Sequence, residues 1–162
     1  GGAGFIGSHL TDKLLNDGHK VIVIDDLRSG SKDNLSQHEN NPNLIIQEID
    51  IGSSHDLTCY FEGVDWVFHL AGMADIVPSI ESPSKYMKVN VQGTVNVLEA
   101  CRYNKVKKFV YAASASCYGI VEKRIGENSK ISLEHPYALS KYLGERAVFH
   151  WYKIYNLPVN SI

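Results

Sequence analysis

Cysteine is scarce in this 162-residue sequence, and the three present, Cys59, Cys101 and Cys117, have no metal-like spacing. An odd, unpatterned set of thiols argues for reduced cysteines in a cytoplasmic protein and against a metal site. Long apolar runs are also lacking: none approaches the roughly 20 residues of a membrane span, and no secretory segment is recognisable. Neither sign of charge dominates. Sixteen Lys and Arg stand against 18 Asp and Glu, for a net charge of −2, which provides no basic field for nucleic acid. Lys105, Lys107 and Lys108 form a short basic cluster that reads as a solvated loop before a strand. There is no internal repeat, low-complexity tract or interdomain linker. What is present, 44% hydrophobic and 21% charged residues, is the composition of one soluble globular domain with room for a sizeable core.

Glycine is placed where it tells most. Gly1, Gly4 and Gly7 have G-x-x-G-x-x-G spacing, and a helical pattern (Ile6, Leu10, Leu14, Leu15) follows at once, with Gly18 at its C-terminal end. Glycine is needed where a backbone turns tightly and where a pyrophosphate must come within hydrogen-bond reach. A helix starting there turns unpaired N–H groups and its positive dipole end to the anion. Glycine-rich turns alone are common, so the context decides. Lys20 to Ile24 is a β-branched run of the kind buried in a parallel sheet, and it ends in Asp25, eighteen residues after Gly7. A carboxylate there can accept both hydroxyls of an adenosine ribose and repels a 2′-phosphate, so the pattern predicts NAD rather than NADP. Arg28, a nearby arginine, could instead serve a 2′-phosphate. The strand that normally feeds such a loop does not precede Gly1, and it is expected between the strand at 20–25 and the strand at 64–69.

Downstream, strand and helix alternate. Strands are predicted at 43–47, 65–69 and 108–112, with a further one opening at Pro158-Val159. A short helix is predicted over 56–61, and long helices over about 84–103 and 137–155. Segment 27–42 reads as irregular. Such alternation predicts an α/β fold, a doubly wound parallel sheet with helices on both faces.

Two segments carry chemistry. Tyr137 and Lys141, four apart on a helix, share one face, and an ammonium beside a phenol favours the phenolate, an acid/base suited to a sugar or alcohol hydroxyl. Pro136 fits the start of that helix. The pair alone also fits an amphipathic helix that carries Tyr and Lys. Ser114 and Ser116 follow the strand at 108–112, where the carboxyl ends of parallel strands line a ligand crevice, although Ser and Gly there also serve as turn residues.

Taken together, Gly1 to Gly7, Asp25-Asp26, Asp50-Ile51, His69 to Gly72, Asn90, Ser114 to Gly119 and Tyr137 with Lys141 resemble the NAD-dependent epimerase/dehydratase branch of the extended short-chain dehydrogenase/reductase superfamily. The resemblance spans essentially the whole chain. It implies a Rossmann-like NAD-binding domain, incomplete at both ends, whose sugar-binding C-terminal region lies outside residues 1–162. It further implies that Phe5 and Ile6 lie against the pyrophosphate, that Asp25 and Asp26 hold the adenine ribose end, and that Asp50 and Ile51 frame the adenine. Leu70, Ala71 and Gly72 pass beneath the cofactor and Asn90 supports the site. Ser114, Tyr137 and Lys141 form the catalytic trio, with Tyr137 and Lys141 also touching NAD. A homodimer of the full-length protein is implied as well. His69, Trp66 and Phe68 read as packing residues and Cys117 as a packed thiol. Asp75 and Ser79 fall on the substrate-facing loop without an assigned role.

Related 4,6-dehydratases resemble one another in placing Asp-Glu after the catalytic hydroxyl, and decarboxylases often place Glu, because elimination needs an acid for the leaving group. Here Ser114 is followed by Ala115-Ser116. The expected activity is therefore a nucleotide-sugar 4-epimerase resembling UDP-glucose 4-epimerases, acting through transient oxidation at C4. The alternatives are a dehydratase or reductase of a nucleotide sugar and a non-catalytic dinucleotide sensor.

Overall fold

The structure, a computed structural model, describes residues 1–53, 56–120 and 124–162. Helix α1 (Phe5–Asn16) leads to strand β1 (Val21–Asp25), a 3-10 helix (Lys32–His38) and β2 (Leu44–Glu48). A second 3-10 helix (Thr58–Phe61) precedes β3 (Trp66–His69), followed by α2 (Ile76–Glu81). A long helical segment then runs as α3 (Pro83–Tyr86), a π-helical stretch (Met87–Gln92) and α4 (Gly93–Tyr103). β4 (Lys108–Tyr111), a 3-10 turn (Ala115–Tyr118), α5 (Pro136–Tyr155) and β5 (Val159–Ser161) complete the order.

Every strand pairing is parallel, as the strand–helix alternation requires. β1 pairs with β2 from Val21↔Leu44 to Asp25↔Glu48. β4 lies between β3 and β5, in register from Trp66↔Lys108 to His69↔Tyr111 and from Phe109↔Val159 to Tyr111↔Ser161. The strands thus make two sheets, and among the described residues no strand pairs with both β1 and β3. Gly1 joins their ends: its amino group donates to the Ile24 carbonyl, and its Cα lies against Leu70 and Ala71. The larger core gathers Phe61, Val97, Leu98, Phe109, Tyr111 and Val148 between the three-stranded sheet and the α4–α5 side. A smaller one, Ala3, Val23 and Leu35, sits under the glycine loop.

Some local expectations change. In α1 the buried positions are Gly7, Ser8, Thr11 and Leu15; Ile6 is 67% exposed and Leu10 and Leu14 are half-buried. A stripe of small residues faces inward because α1 begins against the backbone of its own loop. The long helix has the predicted apolar face, with Tyr86, Val89, Val97, Leu98 and Cys101 buried, but its middle turn widens into the π-helix. Segment 27–42 contains a 3-10 helix that Ser31 caps by accepting from Asp33 N at 3.1 Å. Trp66, expected in the core, is 58% exposed. Residues alternate faces along a strand, and His69 takes the face that packs on Phe109 and Tyr111 while Trp66 and Phe68 share the other. Lys107 pairs with Asp65 at 2.7 Å, both exposed, and Lys105 is exposed as well, so these two lie in a solvated loop before β4, while Lys108 is half-buried as the first residue of the strand.

Candidate active site

The glycine loop is fixed by close backbone approach. A Cβ on Gly7 would lie 2.2 Å from the Gly1 carbonyl oxygen and 2.6 Å from Gly2 Cα. One on Gly1 would meet Ala71 N at 2.4 Å, so the loop before α1 and the loop after β3 abut. Gly4 is the N-cap of α1 and provides no side-chain cap, and no acidic residue stands in the first turn. Phe5 and Ile6 are 81% and 67% exposed there. The first turn thus stands uncapped by any side chain at the positive end of a 12-residue helix, which fits a pyrophosphate.

At the end of β1, Asp25 is built into the loop it was expected to complement. One carboxylate oxygen accepts from Ala3 N at 3.0 Å and the other from Leu27 N at 2.9 Å, with the side chain buried. Leu27 adopts φ 56°, a left-handed conformation in which its N–H turns back to Asp25. Arg28 bridges two further carboxylates, Asp26 at 3.1 Å and Asp50 at 3.4 Å. Asp50 also accepts from Gly52 N at 2.8 Å, which brings Ile51 under Gly93 in the larger core. The ends of β1 and β2 are thus laced by charge.

The loop after β3 is held by Asn90, on the π-helical stretch. Its amide pairs with both backbone groups of Met73, accepting from N at 2.7 Å and donating to O at 2.9 Å, and donates to Ser140 Oγ at 2.9 Å. Ser140 in turn donates to the Tyr137 carbonyl at 2.7 Å. Asn90, only 2% exposed, therefore ties the Gly72–Met73 loop to the first turn of α5. A Cβ on Gly144 would meet Tyr111 Oη at 2.5 Å and the Asn90 carbonyl at 2.9 Å, so glycine lets α5 come this close.

Tyr137 donates to Ser114 Oγ at 3.3 Å, at the carboxyl end of β4. Ser114 also caps the following 3-10 turn, accepting from Ser116 N at 3.2 Å. The Tyr137 ring lies parallel to His135 (6.0 Å between centroids, 6° between planes) and edge-on to Tyr86 (6.4 Å, 75°). Tyr86, almost wholly buried, donates to the Ala74 carbonyl; burial, then Asp75 and Tyr137, push its phenol up. Lys141 is 8% exposed, donates to the Ala112 carbonyl at 2.6 Å and sits 4.4 Å over the Tyr111 ring. Burial lowers its ammonium to about 8, against the opposing pull of Cys117 and Glu145. Lys141 and Tyr137 share the helix face, but among the described residues no hydrogen bond joins the ammonium to the phenol.

Three residues contribute that spacing did not reveal. Thr94 donates to the Asn90 carbonyl at 2.7 Å and so must accept from His69 Nε2 at 2.9 Å. His69 is thus a neutral packing residue, its pKa lowered to about 3 first by burial and then by Lys141. Tyr86 and His135 flank Tyr137; the place of His135 directly before Pro136 was the available signal. Cys117 is buried beneath Ala138, its thiol pushed up by burial, as a packed thiol should be. Asp75 has φ 76° at the start of α2, and Ser79, fully buried, bonds back to the Ile76 carbonyl.

The profile of the NAD dependent epimerase/dehydratase family matches residues 1–162. The chain belongs to this family. It is 36% identical over 159 residues to a putative UDP-glucose 4-epimerase of Methanocaldococcus jannaschii, covering 97% of this chain and 51% of that protein. Among solved structures, the UDP-N-acetylglucosamine 4-epimerase from Methanobrevibacter ruminantium superposes with a TM-score of 0.92 at 33% identity, covering 99% of this chain and 51% of that one. The dTDP-glucose 4,6-dehydratase DesIV from Streptomyces venezuelae, solved with NAD bound, gives 0.93 at 31% identity, covering 99% and 52%. The chain spans about half the length of each of these three relatives. Membership agrees with the Rossmann-like α/β architecture and with the glycine loop, and no described helix is long and apolar enough to cross a membrane.

Proposed function

We propose that the full-length protein is an NAD-dependent 4-epimerase of a nucleotide sugar. The observation that carries this reading is the Tyr137–Ser114 hydroxyl pair at 3.3 Å, at the strand end facing the glycine-loop side, followed by a turn without a carboxylate (Ala115–Tyr118). Two hydroxyls on one oxygen suit removal and return of the same proton. Expulsion of a hydroxyl, as in a 4,6-dehydratase, needs a further acid that this turn does not supply.

NAD, when bound, supplies a site that accepts the C4 hydride and gives it back, so that it is regenerated in each cycle. The first turn of α1 holds the pyrophosphate, and Asp25, Asp26, Asp50 and Ile51 hold the adenosine end. Tyr137 takes the proton from the sugar 4-hydroxyl and returns it after the 4-keto sugar has turned its other face. Ser114 hydrogen-bonds that oxygen throughout. Lys141 exchanges its bond to the Ala112 carbonyl for the nicotinamide ribose and places positive charge beside the phenol. Asn90 keeps the Gly72–Met73 loop and the first turn of α5 at a fixed separation.

Incubation of the full-length protein with UDP-glucose or UDP-galactose, followed by proton NMR, should show interconversion without net formation of NADH. Stoichiometric NADH would favour a dehydrogenase, loss of the 6-hydroxyl a dehydratase, and inertness with NAD bound a sensor.

A further inference from the structure

His135 is the N-cap of α5, and it is an imidazole where a hydroxyl or amide oxygen usually stands. Its Nδ1 lies 3.2 Å from Ala138 N, and because a backbone N–H can only donate, Nδ1 must be the unprotonated, accepting nitrogen. That fixes the tautomer, with hydrogen on Nε2, and the plane of the ring. The same ring lies parallel to Tyr137 within 6°. Backbone φ −151° and ψ 160° at His135, followed by Pro136 at the first helical position, leave the entry to the helix little freedom. Tyr137 also packs T-shaped with Tyr86, 6.4 Å between ring centroids, and Tyr86 is anchored to the Ala74 carbonyl.

We propose that His135 is a positioning residue for Tyr137: one ring both caps the first turn of α5 and forms a flat wall that keeps the phenol aimed at Ser114. The proposal rests on the epimerase reading, in which Tyr137 moves the proton. It gives one side chain two tasks that different substitutions separate. His135→Asn keeps a capping oxygen and loses the wall. His135→Phe keeps the wall and loses the cap. His135→Ala loses both.

The test uses the full-length protein loaded with NAD and compares kcat, KM, bound NAD and the pH dependence of kcat for the three variants. His135→Ala should lower kcat by roughly tenfold to a hundredfold, the scale of a misplaced catalytic group. KM for the nucleotide sugar and bound NAD should stay within about twofold, since no binding contact is removed. His135→Asn and His135→Phe should each recover part of the loss, and the limb of the pH–rate profile that reports Tyr137 should move furthest in His135→Ala. A residue that only stabilises the helix would instead lower the melting temperature and bound NAD in step with activity and leave the pH profile in place. Either that pattern or unchanged kcat in His135→Ala overturns the proposal. If His135→Ala does not fold, His135→Asn decides, because its cap is kept: wild-type kcat and pH profile there refute the wall. Tyr137→Phe is measured alongside. Full turnover by Tyr137→Phe defeats the epimerase reading itself, whereas an inactive Tyr137→Phe beside a normal His135→Ala defeats only the role of His135.

Discussion

Around Gly1 to Gly7 the site is made of backbone; around Ser114, Tyr137 and Lys141 it is made of side chains. In the first region Gly7 and Gly1 admit no Cβ because main-chain atoms lie 2.2–2.9 Å from where it would stand. The charged residues there, Asp25, Asp26, Asp50 and Arg28, are engaged with backbone amides and with one another. In the second region the geometry depends on a chain of buried polar contacts from Met73 through Asn90 and Ser140 to Tyr137. A backbone site recognises what every dinucleotide has in common, whereas a side-chain site selects a reaction. The two regions should therefore fail differently when damaged, the first in affinity and the second in rate.

The sharpest separation is expected from Tyr137→Phe. It removes the hydroxyl that reaches Ser114 at 3.3 Å and leaves the ring contacts to His135 and Tyr86. Loss of a positioned acid/base should lower kcat by about 10²–10⁴-fold, with NAD binding by calorimetry unchanged. A parallel loss of NAD would mean that the two regions are one unit.

Lys141 tests the same division through stability. In the folded chain its ammonium loses its proton near pH 8, against an ordinary value of 10.5, chiefly because it is buried. Between these values the unfolded chain binds more protons, so stability should rise as pH increases from about 8 towards 10.5, by up to roughly 3 kcal/mol. Below pH 8 that increment is absent. Lys141→Met should lack this rise and be at least as stable as wild type at pH 7, yet be inactive. Urea titrations at pH 7 and pH 10 check it, and a variant less stable than wild type at pH 7 would show that the ammonium holds the fold rather than serving the chemistry.

In the backbone region Gly7→Ala is the corresponding break. The added methyl overlaps the Gly1 carbonyl, so α1 must move away from the loop proposed to cradle the pyrophosphate. Forcing one methyl into a packed site costs about 1–3 kcal/mol, and here the displaced atoms are those of the proposed cofactor site. NAD affinity should fall at least tenfold, about 1.4 kcal/mol, while the Tyr137–Ser114 contact persists. Gly4 differs, since among protein atoms a Cβ there meets only the Gly1 oxygen at an ordinary 3.5 Å.

The two regions also differed in how far the residues alone disclosed them. Glycine spacing exposes a backbone site directly, because each glycine marks a place with no room for a side chain. The strand runs at β1, β2 and β4, and the apolar face of the long helix, were legible for the same reason: local periodicity mirrors local packing. Tyr137 with Lys141 was legible as a shared helix face, but Lys141 bonding to Ala112 was not, because that partner lies just past the end of β4, 29 residues away. The π-helical turn at Met87–Gln92, which carries Asn90, has no periodicity of its own to betray it. α2 escaped notice because its only buried residue is Ser79, while Ile76, Val77 and Ile80 are exposed. Trp66 misled because hydrophobicity does not say which face of a strand is covered.

The smallest effect is expected at Arg28, and it decides how the proposed adenosine end chooses its ligand. Were Arg28 a free cation it would invite a 2′-phosphate, but its guanidinium lies 3.1 Å from Asp26 and 3.4 Å from Asp50, and the three side chains are 26–36% exposed. A partly exposed pair contributes about 0–1 kcal/mol, so Arg28→Ala should barely alter stability and should change NAD affinity by less than about threefold. NADP should remain the weaker ligand, because Asp25, Asp26 and Asp50 stay and each repels a phosphate dianion. Asp25→Ala should act more strongly and on both coenzymes, since Asp25 also holds Ala3 N and Leu27 N in the loop. Calorimetric titration of NAD and NADP against the three proteins separates the possibilities. Should wild type bind NADP as tightly as NAD, and Arg28→Ala lose NADP alone, Arg28 leaves its carboxylates for the phosphate, and this end of the site selects through a mobile side chain after all.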